Sequence, residues 1–85
     1  MKVALLYFAR LREALGASRE EATLPAEARD IQSLMAWLAQ RGGVWQEEFS
    51  GCRPLRAAVN QELVANDATF KDGDEIAFFP PVTGG

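Results

Sequence analysis

A single long amphipathic segment, at residues 31–38, limits how this chain can fold. Its apolar side chains recur at i, i+3, i+4 and i+7, which places them on one face of a helix. Asp30 is a good N-cap, because its carboxylate can accept from the free backbone N–H groups of the first turn. We expect Gly42 and Gly43 to end the helix. The apolar stripe, which must be buried against other elements, consists of Ile31, Leu34, Met35 and Leu38.

The other apolar segments are short and typical of strands. They lie at residues 2–8, 19–24, 55–60, 62–65 and 75–79. We expect residues 10–16 to be a connection and residues 44–50 to form a short helical turn. The order β-β-α-β-β-β within 85 residues predicts one α+β domain. A β-grasp (ubiquitin-like) roll satisfies this order, with a mixed sheet of about five strands on one main helix and the first and last strands adjacent at its centre.

Alternation along the strands separates a core face from an outward face. Val3, Leu5 and Tyr7 share one face of the first strand, and Ile76 and Phe78 share one face of the last. The opposite faces would leave an apolar patch outside, which on a small domain usually marks a partner surface. A second helical layer over this patch is the alternative, although few residues remain to form one. The predicted outward side chains are Leu6, Phe8, Phe79 and, beside them, Leu63.

The charge pattern argues against nucleic-acid binding and the apolar pattern against a membrane span. Nine Lys and Arg against 12 Asp and Glu give a net charge of −3, and the basic residues form no block. No apolar run approaches the roughly 20 residues of a membrane span. The first eight residues lack the features of a signal peptide. A soluble, cytoplasmic protein is therefore expected.

The residue inventory argues against a self-contained active site. The sequence has no histidine, which removes Ser-His-Asp and Cys-His catalysis and imidazole metal ligands. Its one cysteine, Cys52, can form neither an internal disulfide nor a multi-cysteine zinc site. We therefore expect no metal, no bound cofactor and no catalytic residue in this chain, and a function that depends on a surface or on a chain end.

The chain ends in an extended segment that separates residues 1–79, the folded domain, from a tail at residues 80–85. The pair Pro80-Pro81 is stiff and extended. Six residues from Pro80 span up to about 20 Å, enough to enter a cleft of another protein. Gly84 and Gly85 lack side chains, so a terminal carboxylate could pass through a narrow slot. Activated as an acyl-adenylate, that carboxylate could exchange an oxygen for sulfur and become a thiocarboxylate.

Four segments resemble the small, sulfur-carrier subunits of molybdopterin synthase. They are residues 8–13, 57–61, 72–75 and 78–85, and the similarity extends over essentially the whole chain. The resemblance implies a β-grasp fold and a cytoplasmic, non-catalytic role in molybdenum cofactor biosynthesis. It implies that Gly85 is adenylated with ATP by an enzyme of the ubiquitin-activating type and becomes a thiocarboxylate. The sulfur would come from a donor protein, such as a cysteine desulfurase or a rhodanese.

The same resemblance implies the partner and the contact residues. The tail would insert into the large synthase subunit, which holds the catalytic lysines, and two chains of each kind would form a heterotetramer. Sulfur would pass to cyclic pyranopterin monophosphate. Phe8, Leu63 and Phe79 match docking positions of the family, and Arg12 matches a basic position beside them. The inserted tail residues would be Pro80, Pro81, Val82, Thr83 and Gly84.

Three other functions remain open at this point. A carrier for thiamine or another sulfur pathway would use the same chemistry. A ubiquitin-like modifier would use the same tail, but an amine would attack its acyl group. A non-covalent binding module would use only the patch around Phe8 and Phe79. Arg10 and Arg12 are candidates for pairing with acids of a partner, whereas Asp72, Asp74 and Glu75 are interpreted as a turn.

Overall fold

The computed structural model describes residues 1–51 and 54–81. Within these residues the chain forms five strands and three helices. In chain order they are β1 (Lys2–Tyr7), α1 (Arg10–Leu15), β2 (Arg19–Thr23), α2 (Ile31–Ala39), α3 (Gly43–Phe49), β3 (Arg56–Val59), β4 (Glu62–Val64) and β5 (Glu75–Phe79).

The sheet places the first and last strands side by side at its centre, in the order β2-β1-β5-β3-β4. β1 and β5 run parallel, with Leu5 opposite Ile76. The pairs β1–β2, β5–β3 and β3–β4 are antiparallel. A parallel neighbour requires a long crossover connection, and the segment that contains α2 and α3 lies within it. This is the β-grasp arrangement, so the predicted α+β fold is confirmed.

The core lies between one face of the sheet and α2. The side chains that alternation assigned to this face are buried, with an exposed fraction of 1% or less. The α2 stripe meets them, except that Met35 is only partly buried. Each fully buried Leu, Ile or Phe contributes about 1.5–3 kcal/mol by leaving water. The central members of the core are Val3, Leu5, Tyr7, Ile31, Leu34, Leu38, Ile76 and Phe78.

The start of α2 is fixed by a reciprocal cap between Asp30 and Ser33. The Ser33 backbone N–H donates to Asp30 Oδ1 at 2.8 Å, and the Asp30 N–H donates to Ser33 Oγ at 3.1 Å. These two bonds satisfy donors that a helix start otherwise leaves unpaired. Hydrogen bonds from Ser33 hold the pKa of Asp30 below its usual range. The prediction that Asp30 begins the helix is confirmed.

One local prediction was wrong and another is confirmed. Residues 10–16, expected to be a connection, contain α1, which buries Leu11 completely and ends at Gly16 in the left-handed conformation. Gly42 and Gly43 follow α2 as predicted, and the short helical turn expected at residues 44–50 is α3, which begins at Gly43. In both places the helix is a short one that gains its stability from packing rather than from its own length.

A polar cluster joins two turns at one end of the sheet. Asn60 and Gln61, both at positive φ, form the predicted turn between β3 and β4. The Asn60 side chain accepts from the Glu75 N–H at 3.0 Å and donates to Asp74 Oδ1 at 3.1 Å. Asp72 Oδ1 accepts from the Lys2 N–H at 2.7 Å. The acidic residues of this region therefore hold turns together, as predicted.

Candidate functional site: an apolar groove at the base of the tail

The outward face of the sheet carries an apolar row that crosses four strands. Leu6 in β1 lies opposite Ala77 in β5, which lies opposite Ala58 in β3, which in turn lies opposite Leu63 in β4. The small alanines form the floor between larger side chains, because successive residues of a strand alternate between faces. The result is a groove of about 420 Å³ lined by Leu6, Phe8, Ala58, Gln61, Leu63, Glu75, Ala77 and Phe79. We call it the outer groove.

The predicted docking residues lie on this groove. Phe8 is 47% exposed and Leu63 is 63% exposed, whereas Phe79 is half-buried. Phe78, the preceding residue of β5, is fully buried in the core. The outward placement of Phe8, Leu63 and Phe79 is thus confirmed, and a helical layer covering Phe8 and Leu63 is absent from the described part of the chain. Their role in binding a partner stays a prediction.

Charged side chains flank the outer groove without closing it. Arg19 Nη1 and Glu75 Oε2 lie 3.7 Å apart, and both side chains are substantially exposed. A pair of this kind contributes about 0–1 kcal/mol to stability. Arg56 lies opposite Phe79 across the β3–β5 ladder and is exposed. The groove is therefore an apolar surface with a polar rim, which is the usual make-up of a protein interface.

The two arginines of α1 differ in their surroundings. Arg10 Nη1 lies 2.8 Å from Glu48 Oε1, and the Glu48 carboxylate is only 2% exposed. This contact ties α1 to α3, and the Arg10 side chain remains 42% exposed, so its pairing with acids of a partner stays a prediction. Arg12 is exposed on the same helix, close in sequence to Phe8, and remains a candidate contact residue.

The chain leaves the body beside the outer groove. β1 and β5 are parallel, so Phe8 and Phe79 both follow the pair formed by Tyr7 and Phe78. Pro80 and Pro81 come next and are half-buried. Pro81 also lines a cleft of about 540 Å³ on the helix side of β3 and β4. Four residues of the predicted tail lie outside the described residues, and so does Cys52. They are Val82, Thr83, Gly84 and Gly85, the last being the predicted reactive residue.

A polar network that the sequence did not reveal lies at the opposite edge of the sheet. The Tyr7 hydroxyl donates to Glu20 Oε2 at 3.0 Å, and Arg41 donates to both Glu20 oxygens at 2.8 and 2.9 Å. Arg41 also stacks on Trp45 at 4.4 Å and Trp37 at 5.2 Å from the ring centres. Hydrogen bonds from Arg41 lower the pKa of Glu20, while burial and the Glu20 charge raise that of Tyr7. Through Glu20 and Arg41, the network links β2 to α2 and α3.

Clustered metal ligands or a long apolar helix would indicate other kinds of site. Among residues 1–51 and 54–81, no group of three or more His, Cys, Asp or Glu side chains is arranged to hold a metal ion. No helix in the same residues has both the length and the apolar character to cross a membrane. What the described surface offers is the outer groove and an adjoining chain exit.

The fold and the groove at its chain exit define the class: a ubiquitin-like β-grasp protein. SAMP1 from Haloferax volcanii, 21% identical, has the same fold, with a TM-score of 0.76 and full coverage of both chains. A sequence profile of the ThiS family matches residues 5–85. The chain belongs to the ThiS family.

Two relatives make the resemblance more specific. The chain is 40% identical over 83 residues to the molybdopterin synthase sulfur carrier subunit of Escherichia coli K12, covering 98% of this chain and 99% of that protein. It also resembles a chain of the protein–protein complex of subunits 1 and 2 of the molybdopterin-converting factor from Helicobacter pylori 26695. There the identity is 27%, the TM-score is 0.68 and both chains are fully covered. The resemblance to molybdopterin synthase small subunits is confirmed.

Proposed function

We propose that this protein is the sulfur-carrier subunit of molybdopterin synthase. The observation that carries the proposal is the position of the outer groove, an exposed apolar surface beside Phe79 at the point where the chain leaves the sheet. A carrier needs a docking surface next to its reactive arm, so that binding the body delivers the arm. Similarity over the full length to a sulfur carrier subunit, and to a chain in a two-subunit complex, supports it.

The proposed chemistry takes place at the carboxylate of Gly85. One of its oxygens attacks the α-phosphorus of ATP in a separate adenylating enzyme, and pyrophosphate leaves. A donor such as a cysteine desulfurase or rhodanese then supplies sulfur as a persulfide, whose outer sulfur attacks the acyl carbon, and AMP leaves with that oxygen. A thiol reductant cleaves the resulting acyl disulfide, so that the sulfur stays on the acyl carbon and the cysteine of the donor leaves in a disulfide with the reductant. The product is a thiocarboxylate, whose sulfur passes to cyclic pyranopterin monophosphate. The proposal requires Gly85 to carry the terminal carboxylate in the working protein.

The proposed partner is the large synthase subunit. Its surface would cover the outer groove through Phe8, Leu63 and Phe79, with Arg12 at the rim, while the tail from Pro80 to Gly85 enters its active site. The large subunit would supply the catalytic groups, and two chains of each kind would assemble. This chain would bind no cofactor of its own and would work in the cytoplasm, where the adenylating enzyme and ATP are available.

Intact mass spectrometry tests the proposal. The protein is incubated with an adenylating enzyme of the ubiquitin-activating type, ATP and a sulfur source, and a variant that lacks Gly85 serves as the control. A gain of mass equal to the exchange of one oxygen for one sulfur, absent from the control, is the expected result. Conjugates to lysines would identify a protein modifier instead, and an unchanged mass in all samples would contradict both. Transfer to the pyranopterin in the presence of the large subunit then separates this pathway from thiamine synthesis.

A further inference from the structure

The sequence contains one pair in which glycine follows an Asp or Asn residue, Asp72-Gly73. Such a pair is chemically reactive. The glycine backbone nitrogen gives up its proton and attacks the carbonyl carbon of the aspartate side chain, one water molecule leaves, and a five-membered succinimide ring forms. Glycine hinders this attack least, because it has no side chain. Water then opens the ring, and opening at the main-chain carbonyl leaves isoaspartate, in which the backbone runs through the side-chain carbons.

The Asp72-Gly73 pair lies in a tight turn directly before β5. The Asp74 N–H donates to the Lys71 carbonyl at 3.0 Å, which closes a four-residue turn. Gly73, in the third position, has a φ of 88°, whereas Asp72, in the second, has a negative φ. This combination identifies a type II turn, in which the third position favours glycine. Both residues of the pair are exposed, so the water that opens a succinimide can reach them.

The backbone of Lys2 binds both groups that would react. Its N–H donates to Asp72 Oδ1 at 2.7 Å, and its carbonyl accepts from the Gly73 N–H at 2.7 Å. The first bond directs the carboxylate, the electrophile of the reaction, toward Lys2. The second bond keeps the proton on the Gly73 nitrogen, the nucleophile, and directs that N–H toward Lys2 as well. Both groups therefore have to leave Lys2 before the ring can close. We call these two bonds the Lys2 clamp.

Further hydrogen bonds hold the turn against the start of β1. The Ala4 N–H donates to the Asp74 carbonyl at 3.0 Å, which continues the pairing of β1 with the turn. The Asp74 carboxylate accepts from the Lys71 N–H at 2.8 Å and from the Asn60 side chain at 3.1 Å. The turn is therefore bound on both sides, and the Lys2 clamp opens only by a local unfolding event, which costs free energy.

We propose that Asp72-Gly73 is a site of spontaneous isoaspartate formation, which the Lys2 clamp keeps unreactive in the folded protein. The reaction requires water and no enzyme, metal or oxidant, and it proceeds when the turn opens. Isoaspartate adds one atom to the main chain of the turn, so the bonds to Lys2 cannot all re-form and the isomerised protein has a lower Tm. This modification site does not depend on the proposed function.

The natural protein provides the first test. It is incubated at neutral pH, folded in buffer and unfolded in concentrated urea, and isoaspartate is measured over time. Cleavage after Arg56 releases residues 57–85, and enzymatic methylation labels isoaspartate in that peptide. Asp72→Glu, whose ring would have six members, measures the signal from other positions. The folded protein should isomerise at least about tenfold more slowly than the unfolded protein.

Substitutions of Lys2 test the clamp itself. Lys2→Pro removes the N–H that bonds to Asp72 and keeps the carbonyl that bonds to Gly73. Lys2 is the first residue of β1, a position at which a strand tolerates proline. Lys2→Ala is the matched control, because it changes the side chain and keeps both bonds. In the folded state Lys2→Pro should isomerise about twofold to tenfold faster than Lys2→Ala, the effect of losing one hydrogen bond.

Gly16→Ala separates local opening of the turn from global unfolding. Gly16 has the left-handed conformation at the end of α1, so alanine there lowers Tm and leaves the Lys2 clamp intact. Its rate of isomerisation should equal that of the natural protein.

Three results would overturn the proposal. They are equal rates in the folded and unfolded natural protein, no isoaspartate in the unfolded protein, and a Gly16→Ala rate as high as that of Lys2→Pro. A Lys2→Pro rate no higher than that of Lys2→Ala would likewise exclude the clamp. The comparison within the natural protein keeps the test decisive where Lys2→Pro does not fold.

Discussion

The hydroxyl of Tyr7 donates a hydrogen bond to Oε2 of Glu20 at 3.0 Å, across the β1–β2 edge of the sheet. Tyr7 is fully buried and Glu20 is only partly exposed. Arg41 binds the same carboxylate through two nitrogens. Ionised Glu20 is therefore the shared acceptor of a phenol and a guanidinium, and its charge matters to the folded state.

Folding stability should depend on pH through Glu20. Arg41 lowers the pKa of Glu20 in the folded protein below its ordinary value of 4.5. A lowered folded pKa means that the stabilisation is complete above about pH 4.5 and is lost as the pH falls through the folded value. Glu20→Gln should reduce the free energy of unfolding by about 1 kcal/mol at pH 7. Urea denaturation across pH 2–7 measures the difference.

The pH dependence of the free energy of unfolding, measured for both proteins, supplies the control for this prediction. Asp30 and Asp74 also have lowered pKa values, but they are present in both proteins. The difference between the natural protein and Glu20→Gln therefore isolates Glu20, and it should shrink in acid. A difference that stays constant down to pH 2 would contradict the prediction.

Phe78 and Phe79, consecutive in β5, should respond oppositely to substitution. Phe78 is fully buried, so Phe78→Ala should cost about 3–5 kcal/mol in the free energy of unfolding. Phe79 lies on the outer groove, so Phe79→Asp should cost less than about 1 kcal/mol but weaken binding to the large subunit at least about tenfold. Urea denaturation and titration calorimetry separate the two effects. A large loss of stability in Phe79→Asp would place that ring in the core.

Deletion of Gly85 should abolish molybdopterin formation in a reconstituted synthase and leave Tm within about 1 °C of the natural value. The proposed reaction forms its bond at the Gly85 carboxylate, whereas the core lies in residues that precede Pro80. The measurements are product formation and a thermal melt. Synthesis by the shortened protein at the natural rate would rule out the carrier role.

Substitutions at two turn positions test the free-energy cost of a positive φ for residues other than glycine. One removes this cost and the other introduces it. Gln61 has φ 70° in the β3–β4 turn, so Gln61→Gly should stabilise the protein by about 0.5–1 kcal/mol. Gly16 has the same φ, and a Cβ atom added there would meet nothing within 4 Å. Gly16→Ala should therefore destabilise by about 1 kcal/mol through the backbone alone. Equal stability of both variants and the natural protein, by urea denaturation, would refute this account.

Patterns with a strong period were sufficient to predict most of the fold. The four-residue stripe with Asp30 before it located α2, and alternation in β1 and β5 separated Tyr7 from Phe8 and Phe78 from Phe79. These sequence patterns predict structure because the residues of a helix or strand that contact the core recur at fixed intervals. The outward placement of the predicted docking residues followed from the same rule.

Short elements and contacts between distant residues were not predicted. α1 has six residues, and the spacing of Leu11 and Leu15, with Gly16 after them, was its one available signal. The contacts of Glu20 with Arg41 and of Arg10 with Glu48 join residues 21 and 38 positions apart. No local pattern encodes such pairs, since they depend on how the helices settle on the sheet. The alanine floor of the outer groove likewise required the strand register.

The parallel pairing of β1 with β5 separates the two ends of the folded body. The Lys2 N–H bonds to Asp72 and the Gly73 N–H to the Lys2 carbonyl, which holds the start of β1 at the turn before β5. A six-residue strand spans about 20 Å. A fluorophore or affinity tag attached ahead of Met1 would thus lie roughly that far from Phe79. Amino-terminal labelling is the suitable choice for binding assays, because the same label placed after Gly85 would block the carboxylate on which the proposed function depends.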